Sequence, residues 1–236
     1  MKGIVIAFGL ILASAPAAAE ISSSITWANV FIWRGQTFSP DGGNSIGGNM
    51  VYNHESGLQL GVYANNLQAP FYYEFNHWLA YVFKQDDYSI TGTIYRYYLP
   101  RNMQYSTMGY RITGQVADVT ASVEYMPEYF WGPGYSGHAD TSSNIYARAE
   151  YAWKFSENDS LVPQVGYSWF DDGELVGHKS YLDYSLSIRH RKDQFVAEVG
   201  WVGTDRKEYV AGPSTTGGAT KDTLDDRPYF KVTYNF

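Results

Sequence analysis

The chain has 236 residues, a formal net charge of −7 and no cysteine. An acidic chain is a poor partner for nucleic acid, and without cysteine it has neither disulfides nor a cysteine-linked lipid. After the first 19 residues, no apolar run approaches the roughly 18 residues that indicate a transmembrane helix.

The first 19 residues have the three parts of a secretory signal peptide. Lys2 is followed by an apolar run from Gly3 to about Ala13, and small residues ending in Ala17-Ala18-Ala19 follow that run. The alternatives are a buried N-terminal helix or a membrane anchor, but the run is shorter than the roughly 20 residues that span a bilayer. We therefore predict a cleaved signal peptide at 1–19 and a single domain at 20–236.

Apolar and polar side chains alternate through the rest of the chain. In residues 144–154, Ile145 and Trp153 share one face. Arg148 and Glu150 lie on the other face. Such a period of two is typical of half-buried β-strands. The pattern predicts about twelve strands, at residues 21–34, 45–53, 58–67, 72–84, 88–99, 104–116, 119–130, 144–155, 160–170, 180–190, 194–203 and 227–236.

Alternation alone fits either a soluble β-sandwich or an outer-membrane β-barrel, and the connections distinguish the two. A sandwich has no reason to sort its connections by length, whereas a barrel has short periplasmic turns and longer extracellular loops. Every second connection here is a short polar turn, at 53–57, 84–87, 116–118, 156–160 and 190–193. The others are mostly longer, and the longest runs over 203–226. We therefore predict an all-β fold, a transmembrane antiparallel up-and-down β-barrel of about twelve strands.

Many charged side chains fall on the faces that this pattern turns inward. On the lipid side at mid-bilayer an Arg or Lys would cost about 2–4 kcal/mol, so the lumen is the cheaper place for these side chains. These side chains either line a narrow channel or cross-link into a polar plug. Both remain open because a barrel of about eight strands is filled by its own side chains and one of about sixteen strands encloses an aqueous channel, and twelve lies between. We favour the channel. The lumen-lining candidates are Arg34, Glu74, Arg111, Glu124, Arg148, Glu150, Lys154, Asp183, Arg189, Arg191, Glu198 and Lys231.

The last strand ends on aromatic residues, which is unusual for a chain terminus. The closing Tyr234-Asn235-Phe236 resembles the aromatic-x-aromatic end that the barrel-assembly machinery reads in bacterial outer-membrane proteins. The resemblance implies that Tyr234 and Phe236 form an assembly signal. That signal usually has a glycine near the position of Lys231, so the match is partial.

No catalytic, cofactor or metal site is predicted. His54 and Ser56 lie in a short turn, where a solvated hairpin accounts for them. No serine stands beside His77 or His190 on the outer face, so no nucleophile and base meet there. The chain has no G-x-S-x-G, H-E-x-x-H or phosphate-binding loop, and no histidine set with the spacing of metal ligands.

The N-terminal third carries a resemblance to a known family. Residues 31–66 contain Trp33-Arg34-Gly35, an Asn-His-Glu-Ser-Gly turn at 53–57 and Leu60-Gly61. This pattern resembles the TorF-like family of proteobacterial outer-membrane porins, long described as conserved proteins of unknown function. Val30 stands where the family often has an acidic or serine residue. The resemblance implies an outer-membrane barrel with a porin role and no established substrate.

Together these observations predict an exported protein of the Gram-negative outer membrane. Its expected partners are outer-membrane lipids, the barrel-assembly machinery and small hydrophilic solutes that diffuse passively through the lumen. A basic strip from Arg148, Arg189 and Arg191 would favour anionic solutes. The alternatives are a non-conducting structural or adhesin-type barrel and an outer-membrane barrel enzyme. Conductance of the purified protein distinguishes a channel from both.

Overall fold

The computed structural model describes residues 19–37, 44–67, 73–100, 106–129, 142–173, 179–205 and 226–236. Apart from Ala19, the predicted signal peptide lies outside these residues, as does most of the long connection 203–226. Among the residues described, no helix is long and apolar enough to cross a membrane.

Fifteen strands make up the described fold, and twelve of them form the wall of one barrel. The other three are short: β2 and β3 pair as a hairpin of their own, and β11 continues β10 beyond Ala152. The strands are β1 (Ala19–Ala28), β2 (Ile32–Trp33), β3 (Gln36–Thr37), β4 (Ser45–His54), β5 (Leu58–Asn66), β6 (Tyr73–Lys84), β7 (Tyr88–Tyr98), β8 (Thr107–Val116), β9 (Val119–Tyr129), β10 (Ser142–Tyr151), β11 (Trp153–Lys154), β12 (Asp159–Phe170), β13 (Ser180–Lys192), β14 (Phe195–Thr204) and β15 (Arg227–Asn235).

The sheet closes on itself. Each wall strand pairs antiparallel with the next wall strand along the chain. β10 pairs directly with β12, because the short β11 only continues β10. The first and last strands also pair, with Ser24 opposite Asn235 and Ala28 opposite Lys231. A closed ring leaves no strand edge with unpaired backbone groups, which is the requirement for a sheet in lipid. The predicted twelve-stranded up-and-down barrel is confirmed.

The connections divide the barrel into two different ends. At one end, called here the short-turn end, successive strands are joined by two to four residues. Gly57 takes a φ of 91° in one of these turns, and its N–H donates to the His54 carbonyl at 2.9 Å. Ala117 and Asp193 also have positive φ, as tight hairpins demand. The opposite end, called the long-loop end, carries the longer connections, including the one that holds β2 and β3.

The two faces of the wall differ as the alternation predicts. Large apolar side chains on the outer face are exposed, as expected of a band that contacts lipid. Examples are Ile25, Ile46, Leu79, Ile94, Ile112, Val123, Leu186 and Val199. Polar and charged side chains on the inner face are buried inside the barrel. Examples are Glu124, Asn144, Asp183, Ser187 and Glu198.

The predicted first strand, 21–34, is wrong beyond Ala28. After Ala28, Asn29 makes two more hydrogen bonds with Phe230 of the wall: its N–H donates to the Phe230 carbonyl, and its side-chain Oδ1 accepts from the Phe230 N–H. The chain then leaves the wall and forms the β2–β3 hairpin, with Arg34 at φ 52° and Gly35 at φ 73° in its turn. The physical reason lies in Val30, Phe31, Ile32 and Trp33, four consecutive apolar residues. They pack against inward-facing side chains from other strands instead of dividing between lipid and lumen.

Candidate functional site: the barrel lumen

The lumen holds a cavity of about 540 Å³ that both polar and aromatic side chains line. The cavity is bounded by inward-facing residues of the wall and by residues 30–35, which leave the wall and fold into the lumen. These residues are called here the in-folded segment. Eight of the predicted lumen residues line it: Arg34, Arg111, Glu124, Arg148, Glu150, Arg189, Glu198 and Lys231.

Glu198 on β14 is the centre of one ionic cluster. Its carboxylate accepts a hydrogen bond from Arg189 Nε at 2.9 Å and lies 3.1 Å from Lys231 Nζ. The hydroxyl of Tyr229 donates to Oε1 at 2.6 Å. The Glu198 side chain is only 4% exposed, so three donors compensate for the loss of water around its charge. β13, β14 and β15 are therefore joined on the inside as well as by the sheet.

The cluster continues across the wall to β10. Arg189 Nη1 lies 3.8 Å from Glu150 Oε1, and Glu150 is also paired with Arg148. These contacts bridge β12, whose residue opposite Arg148 is Gly166. A Cβ at Gly166 would meet the Tyr146 hydroxyl at 2.2 Å, so only glycine leaves this space free. The resulting charge ladder consists of Arg148, Glu150, Arg189, Glu198 and Lys231.

A second ionic cluster lies where the in-folded hairpin reaches the opposite wall. Arg34 donates to Glu124 on β9 and to Asn144 on β10, and Arg111 on β8 donates to the other carboxylate oxygen of Glu124. Arg111 Nε also donates to that oxygen, at 2.7 Å. The guanidinium of Arg34 lies 4.5 Å from the Trp33 ring centre and 4.4 Å from that of Tyr146. The faces of these two aromatic rings attract a desolvated cation such as the buried guanidinium.

The charges that line the cavity do not cancel. Among the residues that the structure describes, the cavity lining has five cations, Arg34, Arg111, Arg148, Arg189 and Lys231, and three carboxylates, Glu124, Glu150 and Glu198, which leaves a formal charge of +2. The side chains of Arg148 and Lys231 remain 41% and 39% exposed inside the barrel. A charge within a narrow lumen acts more strongly than one on an open surface.

The other four predicted lumen residues do not line this cavity. Glu74 is buried near the long-loop end and accepts a hydrogen bond from Asn76. Asp183 is buried and accepts from the Tyr146 hydroxyl at 3.2 Å. Lys154 pairs with Asp118 at 2.8 Å at the short-turn end, where both side chains are exposed. Arg191 is exposed at the same end, so it does not extend the predicted basic strip into the cavity.

A fixed negative charge lies at the long-loop end. Asp171 Oδ1 accepts hydrogen bonds from Ser142 Oγ at 2.6 Å, from the Ser143 backbone at 2.6 Å and from the Asp172 backbone at 2.8 Å. Burial acts to raise the pKa of Asp171, but these hydrogen bonds outweigh it and lower the pKa. The mouth therefore carries a carboxylate that stays ionised, opposite in sign to the cavity behind it.

The in-folded segment is the functional feature that the sequence pattern missed. Trp33 stacks on Tyr129 at 6.1 Å between ring centres and meets the edge of Tyr97 at 6.1 Å. The buried cluster around it consists of apolar residues in or directly after strands of the wall at the long-loop end, namely Leu67, Leu99, Met126, Tyr129, Phe170 and Tyr181. The available signal was the unbroken apolar run 30–33 before Arg34-Gly35, which departs from alternation.

Two histidines, His54 and His190, take part in local contacts at the short-turn end. His54 Nδ1 lies 2.8 Å from Ser56 Oγ within one exposed turn, and His190 Nδ1 lies 2.7 Å from Asp159 Oδ1. Within the described parts of the chain, no group of three or more His, Asp or Glu side chains could hold a metal ion.

The C-terminal strand completes the wall with an aromatic row. The ring of Tyr234 lies 4.9 Å from that of Phe195 and 4.8 Å from that of Phe236. The Phe236 N–H donates to the Ser23 carbonyl at 2.9 Å, so the final residue also ties β15 to β1. Phe236 is 69% exposed on the outer face, at the short-turn end where an aromatic girdle would sit.

Deletion of Phe236 tests whether this row is an assembly signal. We expect a several-fold drop of heat-modifiable protein in outer-membrane fractions and aggregates in the periplasm, because recognition and one β1–β15 bond are lost together. Phe236→Tyr is the control, since it keeps an aromatic ring and the backbone N–H. Equal outer-membrane levels for the deletion and the wild type would refute a signalling role for Phe236.

Comparison with known proteins places the chain among bacterial barrels. The sequence pattern of a family described as "Bacterial protein of unknown function (Gcw_chp)" matches residues 12–236. The structure is similar to that of the NanC porin, with a TM-score of 0.56, 8% identity and coverage of 92% of this chain and 99% of that one. It is also similar to the KdgM porin, with a TM-score of 0.55, 10% identity and coverage of 91% and 99%. No curated protein matches the chain in sequence.

Proposed function

The chain belongs to the Gcw_chp family of bacterial proteins of unknown function. For this member of the family we propose a function as a porin-like channel of the Gram-negative outer membrane. The observation that carries the proposal is the closed twelve-stranded ring with an apolar outer face and a charge-lined cavity of about 540 Å³ inside. The fold that it shares with the NanC and KdgM porins supports the same role. So does the resemblance of residues 31–66 to TorF-like porins.

The proposed substrates are small hydrophilic solutes that cross by passive diffusion, with anionic ones favoured. A cavity of this size suits a solute of a few polar groups rather than a protein segment. Its formal charge of +2 supports a preference for anions. The cations most available to a passing solute are Arg148 and Lys231 at the two ends of the charge ladder, together with Arg111.

The direct test is electrical. Purified protein inserted into a planar lipid bilayer should give discrete, ohmic single-channel steps, and a KCl gradient should give a reversal potential of the sign that favours chloride. Absence of steps in both the wild type and the Arg34→Asn variant, which loosens the segment inside the lumen, would exclude a channel. A cation-selective reversal potential would leave the channel but refute the anion preference.

Removal of two ladder cations should abolish the preference. In Arg148→Ser with Arg189→Ser the formal charge of the cavity falls from +2 to zero, so we expect the reversal potential to move toward that of a non-selective pore. The matched control is Lys154→Ser with Arg191→Ser, which removes the same charge outside the cavity. A control that shifts selectivity as much as the ladder variant would contradict the assignment of selectivity to the ladder.

A specific observation favours a second candidate, a non-conducting structural or adhesin-type barrel. The in-folded segment and the apolar cluster around Trp33 occupy the lumen at the long-loop end. An enzymatic barrel is the weaker alternative, because His54 and Ser56 meet only within one exposed turn. The same bilayer measurement separates the channel from the non-conducting barrel.

A further inference from the structure

The β2–β3 hairpin extends from one side of the barrel to the other. It leaves the wall at the end of β1, and Arg34 at its tip contacts Glu124 and Met126 on β9 and Asn144 on β10. In the ring of twelve strands, β9 stands six places from β1 in either direction. A contact between these two strands through the interior therefore spans the full width of the lumen.

The sides of the segment are packed as well as its tip. Trp33 contacts Tyr97 on β7 and Tyr129 on β9. On the other side, Val30 and Ile32 pack with Val202 on β14 and Tyr229 on β15. Gly35 lies so close to β13 that an added Cβ would meet that of Asp183 at 2.6 Å. Six of the twelve wall strands, β7, β9, β10, β13, β14 and β15, therefore contact residues 30–35.

Arg34 is the one charged anchor of the hairpin among the residues described between 29 and 37. Its side chain is 3% exposed, and its guanidinium is held by Glu124, Asn144 and the Met126 sulfur at 3.3 Å. Its φ of 52° is a left-handed conformation that a residue with a Cβ disfavours. Such a conformation persists only where surrounding contacts fix it. The contacts of the side chain thus hold both the turn and its position across the lumen.

We infer that the Ile32–Thr37 hairpin is the constriction of the channel, and that Arg34 is the residue that positions it. This inference rests on the proposed channel function. Arg34 acts through the hairpin: while it is bound to Glu124 and Asn144 the lumen is narrowed at the long-loop end, and its release widens the path. The contacts of Arg34 with Glu124, Asn144 and Met126 include no ladder residue, so the ladder keeps its own charge when Arg34 is replaced.

The first experiment asks whether Arg34 holds the hairpin, without any need for conductance. The chain has no cysteine, so Val30→Cys, at a position that is 8% exposed, provides a unique buried thiol. We expect N-ethylmaleimide to label this thiol in the detergent-solubilised barrel roughly tenfold faster when Arg34→Asn is added, because a released segment opens locally. Asn keeps the left-handed turn accessible while it removes the anchor.

The matched control is Val30→Cys with Arg96→Asn. Arg96 is an exposed arginine on β7, away from the lumen cavity, so labelling should stay at the rate of Val30→Cys alone. Heat-modifiable migration checks that each barrel is folded. Arg34→Lys provides a second variant should Arg34→Asn fail to fold. The single ammonium group of lysine can keep the contact with Glu124 but cannot bind Asn144 at the same time, as the two guanidinium nitrogens do. The labelling rate of this variant should therefore fall between those of Val30→Cys alone and Val30→Cys with Arg34→Asn.

The second experiment measures single-channel conductance in planar bilayers. If the hairpin is the constriction, Arg34→Asn should raise the conductance about twofold or more over the wild type, and Arg96→Asn should not. A silent wild type with a conducting Arg34→Asn variant would support the inference as well.

Three outcomes would overturn the inference. Unchanged labelling in Arg34→Asn would show that Arg34 does not position the hairpin. Faster labelling with unchanged conductance, in a wild type that conducts, would place the constriction elsewhere and leave the proposed channel intact. Faster labelling with no conductance in any variant would refute both the constriction and the channel.

Discussion

Leu186→Arg should destabilise the barrel by about 2–4 kcal/mol, the cost of placing an arginine on the lipid face near mid-bilayer. Leu186 lies in the middle of β13 and is 52% exposed on the outer face, between Pro163 and Trp201 of the flanking strands. No opposite charge stands on this apolar face beside it. The measurement is the free energy of unfolding in urea, for protein folded into lipid vesicles.

The control for this change is the next residue along the strand. Ser185 faces the cavity, so Ser185→Arg places the same side chain in a polar lumen and should cost much less. Equal losses of stability for the two variants would mean that the inner and outer faces of β13 are wrongly assigned.

Glu198→Ala should have the second large effect, on both stability and selectivity. Its carboxylate contacts Arg189, Lys231 and Tyr229, and removal of one partner from a buried ionic cluster typically costs about 3–5 kcal/mol. Arg189 keeps a longer contact with Glu150, and Lys231 is partly exposed. We therefore expect a loss at the lower end, together with a stronger chloride preference as the cavity charge rises from +2 to +3.

Glu128→Ala separates the local effect from a change of net charge. Glu128 is exposed and does not line the cavity, so this variant removes one carboxylate and leaves the ladder complete. Unfolding in urea and the reversal potential should both match the wild type. A selectivity shift in Glu128→Ala as large as that in Glu198→Ala would argue that overall charge, not the ladder, sets ion preference.

The wall of the barrel could be predicted from the sequence because each strand carries its own signal. Alternation in residues 144–154 marks both the strand and its faces, and Ile145 and Asn144 lie outside and inside as expected. Turn chemistry at Gly57 and Asp193 fixes where strands end. These are local properties, so a single sequence reports them, and apart from the first strand the predicted bounds agree with the observed ones within a few residues.

The arrangement inside the lumen could not be predicted, because it depends on which strands face each other across the ring. The sequence placed Arg148 and Arg189 on one wall, but the pairing of Glu150 and Glu198 with them depends on register across β12. The contact between Arg34 and Glu124 joins residues 90 positions apart. The predicted first strand was extended too far, through the apolar run 30–33, because the sequence does not show that the backbone turns into the lumen there.

The pairing of β1 with β15 constrains the order in which the barrel can be assembled. Thr26 and Thr233, whose hydroxyl oxygens lie 2.8 Å apart across this pair, are separated by 207 positions. Contacts so distant in sequence form late and slowly. Until residues 227–235 arrive, β1 and β14 both expose unpaired strand edges, which lipid does not tolerate and other chains can add to. A chain interrupted before Arg227 would therefore expose the unpaired edges of β1 and β14, to which strands of other chains can add, in place of a closed ring.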